Sequence, residues 1–162
     1  MVTTTRRIEE RGQRTPRSLN PYDVEGIRGT AFCECGAVFR SKRWYSGDGG
    51  AAAPEARRLV CPACRRTADD NPGGILFMRG DFFSKHEDEL RGLVQQIGQS
   101  ITHKNRLSRI MKITSEAGGI AVATTDAKLA QKLGRELFKS HHGELNFKWN
   151  DKEEAVRVYW SR

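Results

Sequence analysis

No cysteine occurs beyond residue 64 of this 162-residue chain; all four lie between Cys33 and Cys64. A stretch of under about 80 residues rarely builds a core with stability to spare, so a small half often uses a metal or a disulfide. The second half has no such staple and must fold by ordinary burial. Apolar runs are only a few residues long, too short for a transmembrane helix. Met1 to Gln13 is polar and has no apolar h-region, so no secretory signal is expected there. The four histidines, His86, His103, His141 and His142, are scattered, and none accompanies a nucleophilic Ser or Cys motif. His86-Glu87 has no second histidine four residues after the first, as a metalloprotease helix requires, and no glycine-rich phosphate loop with its lysine is present. These absences leave no recognisable catalytic constellation. They predict a cytoplasmic protein that works by binding, with neither a membrane nor a small molecule as its partner.

Positive charge is abundant. The formal net charge is +8 and the isoelectric point about 9.6. The excess is uneven. Arg40, Lys42, Arg43, Arg57, Arg58, Arg65 and Arg66 fall in one short region against only Asp48 and Glu55. A cationic cluster of this kind attracts phosphates, with counterion release as the driving force. Trp44 and Tyr45 follow Lys42-Arg43 directly, and an exposed aromatic beside Arg can stack on an unpaired base. Trp44 has the alternative of packing on a small core. The expected RNA-contacting set is therefore Arg40, Lys42, Arg43, Trp44, Arg57, Arg58, Arg65 and Arg66, with Arg14 and Arg17 of the N-terminal arm. Residues 1–30 scatter arginines among Thr, Gln, Ser and Pro without apolar periodicity. They read as a basic arm, disordered alone, which is either a passive tail or a segment that orders along RNA.

The cysteines come as two close pairs, Cys33-Glu34-Cys35-Gly36 and Cys61-Pro62-Ala63-Cys64. Paired thiols in a reducing cytosol point to Zn2+ held by Cys33, Cys35, Cys61 and Cys64, and four thiolates close the shell as in a structural site. The first pair is Cys-x-Cys, a tighter knuckle than Cys-x-x-Cys, and His86 is an alternative neighbour that could replace one sulfur. A disulfide, or unrelated thiols, are the competing readings. The gap between the pairs suits a zinc ribbon of two hairpins.

Downstream, apolar residues from Phe83 to Ile101 recur near a period of 3.6 and predict a helix over 82–104, weakened by about 1 kcal/mol at each of Gly92 and Gly98. Strands are expected over 107–114 and 119–125, joined by Ser115-Glu116-Ala117-Gly118, with Arg109, Met111 and Ile113 on one face. A helix capped by Thr125 or Asp126 buries Leu129, Ala130, Leu133, Leu137 and Phe138 and ends near Gly143. Two strands follow, 144–149 and one containing Val156, Val158 and Trp160, with a turn at Asn150-Asp151. The expected fold class is α+β: a basic arm (1–30), a zinc ribbon (31–80), and an α-β-β-α-β-β sandwich (81–162).

The run from Phe32 to Phe39 around Cys33 and Cys35, Arg43-Trp44, and Cys61-Pro62-Ala63-Cys64-Arg65-Arg66 resembles a family of bacterial zinc-ribbon proteins. Arg109 to Ile113, Thr124 to Ala130, Gly143-Glu144-Leu145 and Val156 to Trp160 resemble the same family. That family is in turn distantly similar to the N-terminal part of the large-ribosomal-subunit export adaptor of eukaryotes and archaea. The resemblance implies a ribosome-associated protein that contacts rRNA, with ribosomal proteins as further partners, in assembly, hibernation or a stress response. The alternative is a DNA-binding or transcription-associated zinc module.

Overall fold

The computed structural model describes Arg6–Glu9, Tyr22, and residues 27–47, 57–149 and 155–162. It is a mixed α/β protein with two sheets and four helices among the described residues. No helix among them is long and apolar enough to cross a membrane.

The small sheet has the order β4-β3-β2-β5, from β2 (Ala31–Phe32), β3 (Ala37–Arg40), β4 (Arg43–Ser46) and β5 (Arg57–Arg58). Strands β2, β3 and β4 are antiparallel, whereas β5 runs parallel to β2. The second cysteine pair does not sit in a hairpin. Cys61 caps helix α1 (Pro62–Ala68), because Pro62 has no N–H to lose at the first helical position and the Cys61 sulfur accepts from the Cys64 amide at 3.4 Å.

The large sheet has six strands in the order β1-β9-β10-β6-β8-β7. They are β1 (Arg6–Glu9), β6 (Gly74–Arg79), β7 (Ile110–Glu116), β8 (Gly119–Thr124), β9 (Glu144–Trp149) and β10 (Val156–Ser161). Helix α4 (Ala127–His141) lies on β6, β8, β9 and β10, with α3 (Glu87–Lys104) against α4 and α2 (Asp81–Lys85) against β6. Between them sits one core that includes Leu76, Met78, Val122, Leu133, Leu137 and Trp160, each fully buried. Asp126 caps α4 by accepting from the Leu129 amide at 2.8 Å, as its residue type predicts.

Several expectations are corrected. Gly74–Arg79, expected within the cysteine region, is a central strand of the large sheet, parallel to β10 and antiparallel to β8. Residues 82–104 form two helices, not one. The chain breaks at His86 (φ −126°, ψ 24°), whose ring stacks on Phe82 at 4.2 Å. Gly98 is buried in α3 because a Cβ there would meet the Ile110 side chain at 2.5 Å, so the glycine serves close approach to β7. The expected alternation in β7 fails because a bulge between Ile110 and Lys112 turns both Ile110 and Ile113 toward the core. Ser115 and Glu116 extend that strand and leave a tighter turn. At the N-terminus, Arg6–Glu9 is a strand that pairs in parallel with β9 and covers an otherwise unpaired edge. Of the rest of the expected arm, Tyr22 is buried and donates to Asp69, and residues 27–30 lead into β2; the other residues, Arg14 and Arg17 included, and the turn at Asn150-Asp151 lie outside the described residues.

Candidate metal centre

Each cysteine pair is delivered by a different local device. Cys33 follows β2 and Cys35 precedes β3, and the reversal between them is closed by the Gly36 amide donating to the Cys33 carbonyl at 3.0 Å. Gly36 has φ +95°, a conformation that favours glycine and lets so short a Cys-x-Cys knuckle turn. Cys61 and Cys64 come from the cap and first turn of α1. The four sulfurs all lie within 4.8 Å of one another and are positioned to hold a metal ion. Cys33 and Cys64 sulfurs are 3.7 Å apart, and those of Cys35 and Cys61 3.6 Å apart. Four thiolates at about 2.3 Å from a tetrahedral ion would have edges of about 3.8 Å, so both measured edges fit such a shell. All four thiols are free. His86 takes no part: it stacks on Phe82 and faces Glu89 at 3.5 Å.

The electrostatics suit a cation. Burial acts to raise the Cys33 thiol, but the Cys61 amide at 3.3 Å and the adjacent Cys35 groups outweigh it and bring the pKa down to about 7. Burial pushes Cys35 and Cys61 up. Four adjacent sulfurs cannot all carry charge until a positive ion sits among them.

Part of that compensation comes from a distant stretch of chain. The segment between α3 and β7 crosses to the cysteine cluster. The Arg109 guanidinium donates to the Cys64 sulfur at 3.2 Å, with the Cys61 sulfur at 3.9 Å. Burial works against the charge of Arg109, yet the Cys64 sulfur holds its pKa above the ordinary value. Arg106 donates to the Cys35 carbonyl at 2.7 Å, and Leu107 packs on the cluster. Ser46 joins the same seam through the Lys104 carbonyl and the Arg106 amide. Residue reading did not assign Arg106 or Arg109 to this site. One signal existed for Arg109, an arginine on a predicted strand face with Met111 and Ile113, since a buried cation requires a partner.

The expected RNA-contacting residues divide. Arg40, Lys42, Arg43, Arg57 and Arg58 are exposed on the small sheet, with Arg58 facing Glu34 at 3.7 Å. Ser41 and Lys42 both have positive φ (48° and 63°), so a two-residue turn presents Arg40, Lys42 and Arg43 together at a hairpin tip. Trp44 packs inward against Phe39 (ring centroids 5.3 Å apart) and the cysteine cluster, while Tyr45 is exposed under the Arg40 guanidinium at 4.7 Å. Arg65 and Arg66 lie over the buried Tyr22 ring, at 5.5 and 4.4 Å, and so hold Tyr22 to α1. No family model, curated protein or solved structure matches the chain.

Proposed function

We propose that this protein is a zinc-binding, RNA-binding factor that docks on rRNA or the ribosome and has no catalytic activity of its own. The observation that carries the reading is the four-sulfur cluster with Arg109 against it: every position of a tetrahedral shell is taken by sulfur, which suits a structural Zn2+ and leaves no place for a reacting water. In this reading the small sheet and α1 form a variant zinc ribbon joined to an α+β unit. The ion fixes the hairpin that raises Arg40, Lys42 and Arg43, so that metal and RNA contact are linked. A non-glycine residue in left-handed backbone costs roughly 1 kcal/mol or more, and two in succession at a cationic tip support a functional contact there. The residue patterns shared with zinc-ribbon proteins support the ribosome as the RNA partner, in assembly, hibernation or a stress response.

Sucrose-gradient sedimentation of the tagged protein from lysate tests this. Co-migration with ribosomal particles, released by RNase and by salt, is expected from phosphate contacts. Presence only in the top fractions, from growing and starved cells alike, would overturn the ribosomal assignment. Complexes sensitive to DNase but not RNase would replace it with the DNA-binding one.

A further inference from the structure

The large sheet ends at β7, which pairs with β8 and with no other strand among the described residues. At seven residues it is the longest strand described, and it contains no proline. Ile110, Ile113 and Thr114 suit a strand well. A free edge of this kind is a template for a further strand. The bulge between Ile110 and Lys112 bends its start and leaves residues 112–116 as the regular part. The Glu116–Gly119 pair closes a two-residue loop, and the closing pair of such a hairpin exchanges hydrogen bonds. Glu116 and Thr114 therefore turn their backbone groups to β8, and Ser115 and Ile113 turn theirs to the open edge. Lys112, Thr114, Ser115 and Glu116 are all exposed.

The exposed segment reads Lys-Ile-Thr-Ser-Glu. Laid antiparallel on itself about Thr114, it sets Lys112 opposite Glu116, Ile113 opposite Ser115, and Thr114 opposite Thr114. The Ile113–Ser115 pairs are then the hydrogen-bonded ones, as their outward backbone groups require. Opposite charges and paired threonines across strands stabilise such a pairing. Both charged residues already have a partner: Lys112 meets Asp70 at 2.6 Å and Glu116 meets Arg79 at 2.9 Å. These are partly exposed pairs, and an ammonium with three donors or a carboxylate with about four acceptor sites can serve a second partner. Across the axis the charges run Asp70, Lys112, Glu116, Arg79, with signs alternating throughout.

We propose that β7 pairs antiparallel with β7 of a second copy of this chain, across a two-fold axis at Thr114, joining two six-stranded sheets into one. The proposal is independent of the RNA-binding reading above. Self-complementarity selects the occupant. A second copy supplies a carboxylate opposite Lys112 and an ammonium opposite Glu116, and symmetry repeats the match on the other side of the axis. Ile113, half-buried beside the open groove between α3 and β7, gains the second strand as cover. A strand pair of this length buries less than the roughly 1,200 Å² of standard interfaces, so the dimer forms with rising concentration and is not permanent.

The test is sedimentation equilibrium of the full-length, metal-loaded, nucleic-acid-free chain over a concentration series. The average mass should rise with concentration from one 18.3 kDa chain toward twice that value. Lys112→Glu and Glu116→Lys should each weaken the dimer about tenfold or more, because each turns two opposite-charge pairs into like-charge ones. Mixed in equal amounts, these two variants should associate with each other more tightly than either does with itself, since opposite charges then meet again on both sides of the axis. Ser115→Pro should abolish the dimer and keep the fold, because it removes an N–H that faces the open edge and none that β8 uses. Circular dichroism and metal content check folding; the ion pairs that the charge changes remove are surface pairs, which contribute little to stability. Should Ser115→Pro fail that check, the mixing result decides. A parent that stays a single chain at every concentration would overturn the proposal. So would a dimer that folded Ser115→Pro leaves intact, or charge variants that associate no better mixed than alone.

Discussion

The two sheets are held together in opposite ways. The large sheet and its helices share a contiguous core of sixteen buried residues, from Leu76 to Trp160. Beside the small sheet, the buried cluster among the described residues is only Cys33, Ala37, Cys61 and Ala63, with Trp44 and Leu107 against them, and Ala31 and Phe39 are buried in its strands. At about 25 cal/mol per Å² of buried apolar area, a centre so small contributes little against the entropy of ordering its strands. Four convergent thiols positioned to hold a metal ion offer a remedy for that deficit, because metal binding free energy becomes folding free energy. A region able to bury apolar surface needs no staple, and one built around a cationic hairpin does.

The comparison breaks most visibly at the cysteines. Cys61→Ser or Cys64→Ser is expected to abolish metal binding, worth on the order of 10 kcal/mol at structural four-ligand sites, and to unfold residues 31–68. Hydrogen exchange should then show protection lost over β2 to α1 and kept in α4 and β10. Loss of protection throughout would mean that the larger unit depends on the small one.

The converse change is Leu137→Ala. Leu137 is fully buried in the large core, and truncation there should cost about 2–5 kcal/mol by leaving a cavity. Thermal or denaturant unfolding followed at Trp160 would read it. The metal stoichiometry of the folded protein should not change.

Arg109 sharpens the comparison, because it belongs to one region and serves the other. Arg109→Gln removes the charge beside the Cys64 sulfur and should weaken metal binding by about 10- to 100-fold, as loss of an outer-shell partner does. Competition with a chromophoric chelator measures this, and Arg109→Lys should restore part of the affinity. Affinity should also fall as pH falls. Thiolates are the ligands, so protons compete for every sulfur; the bound ion displaces the thiol protons, so the metal is held at neutral pH and released as the pH falls well below the free-thiol pKa values. Metal release on raising the pH would contradict a thiolate shell.

The smallest expected effect belongs to the exposed face of α3. A Cβ added at Gly92 would meet nothing within 4 Å. Gly92→Ala should therefore stabilise the large unit by about 0.4–1 kcal/mol through the unfolded state, a rise of a few degrees in its melting temperature. The metal content should again be unaffected.

What the residues alone determined was local. Two cysteine pairs with a glycine after the first predict a metal cluster, because thiols so spaced reach one ion with only a turn between them. Thr125-Asp126 before an apolar stripe predicts the cap of α4, and the alternation in 144–149 predicts β9, because caps and pleats are set by neighbours in sequence. The tertiary structure decided everything that joins distant segments. Gly74–Arg79 is apolar on both faces, so no alternation marked it as a strand, and only its pairing with β10 and β8 places it at the sheet centre. The bulge after Ile110 concealed the period of β7. The pairing of Arg6–Glu9 with β9 depends on an edge built from the far end of the chain. Arg109 lies 45 residues beyond Cys64, and its charge meets that sulfur only because the crossing from α3 to β7 passes over the cluster. Phe77 and Tyr159, 82 residues apart in the chain, become neighbours on one surface for the same physical reason: sheet register, not sequence distance, sets which side chains touch.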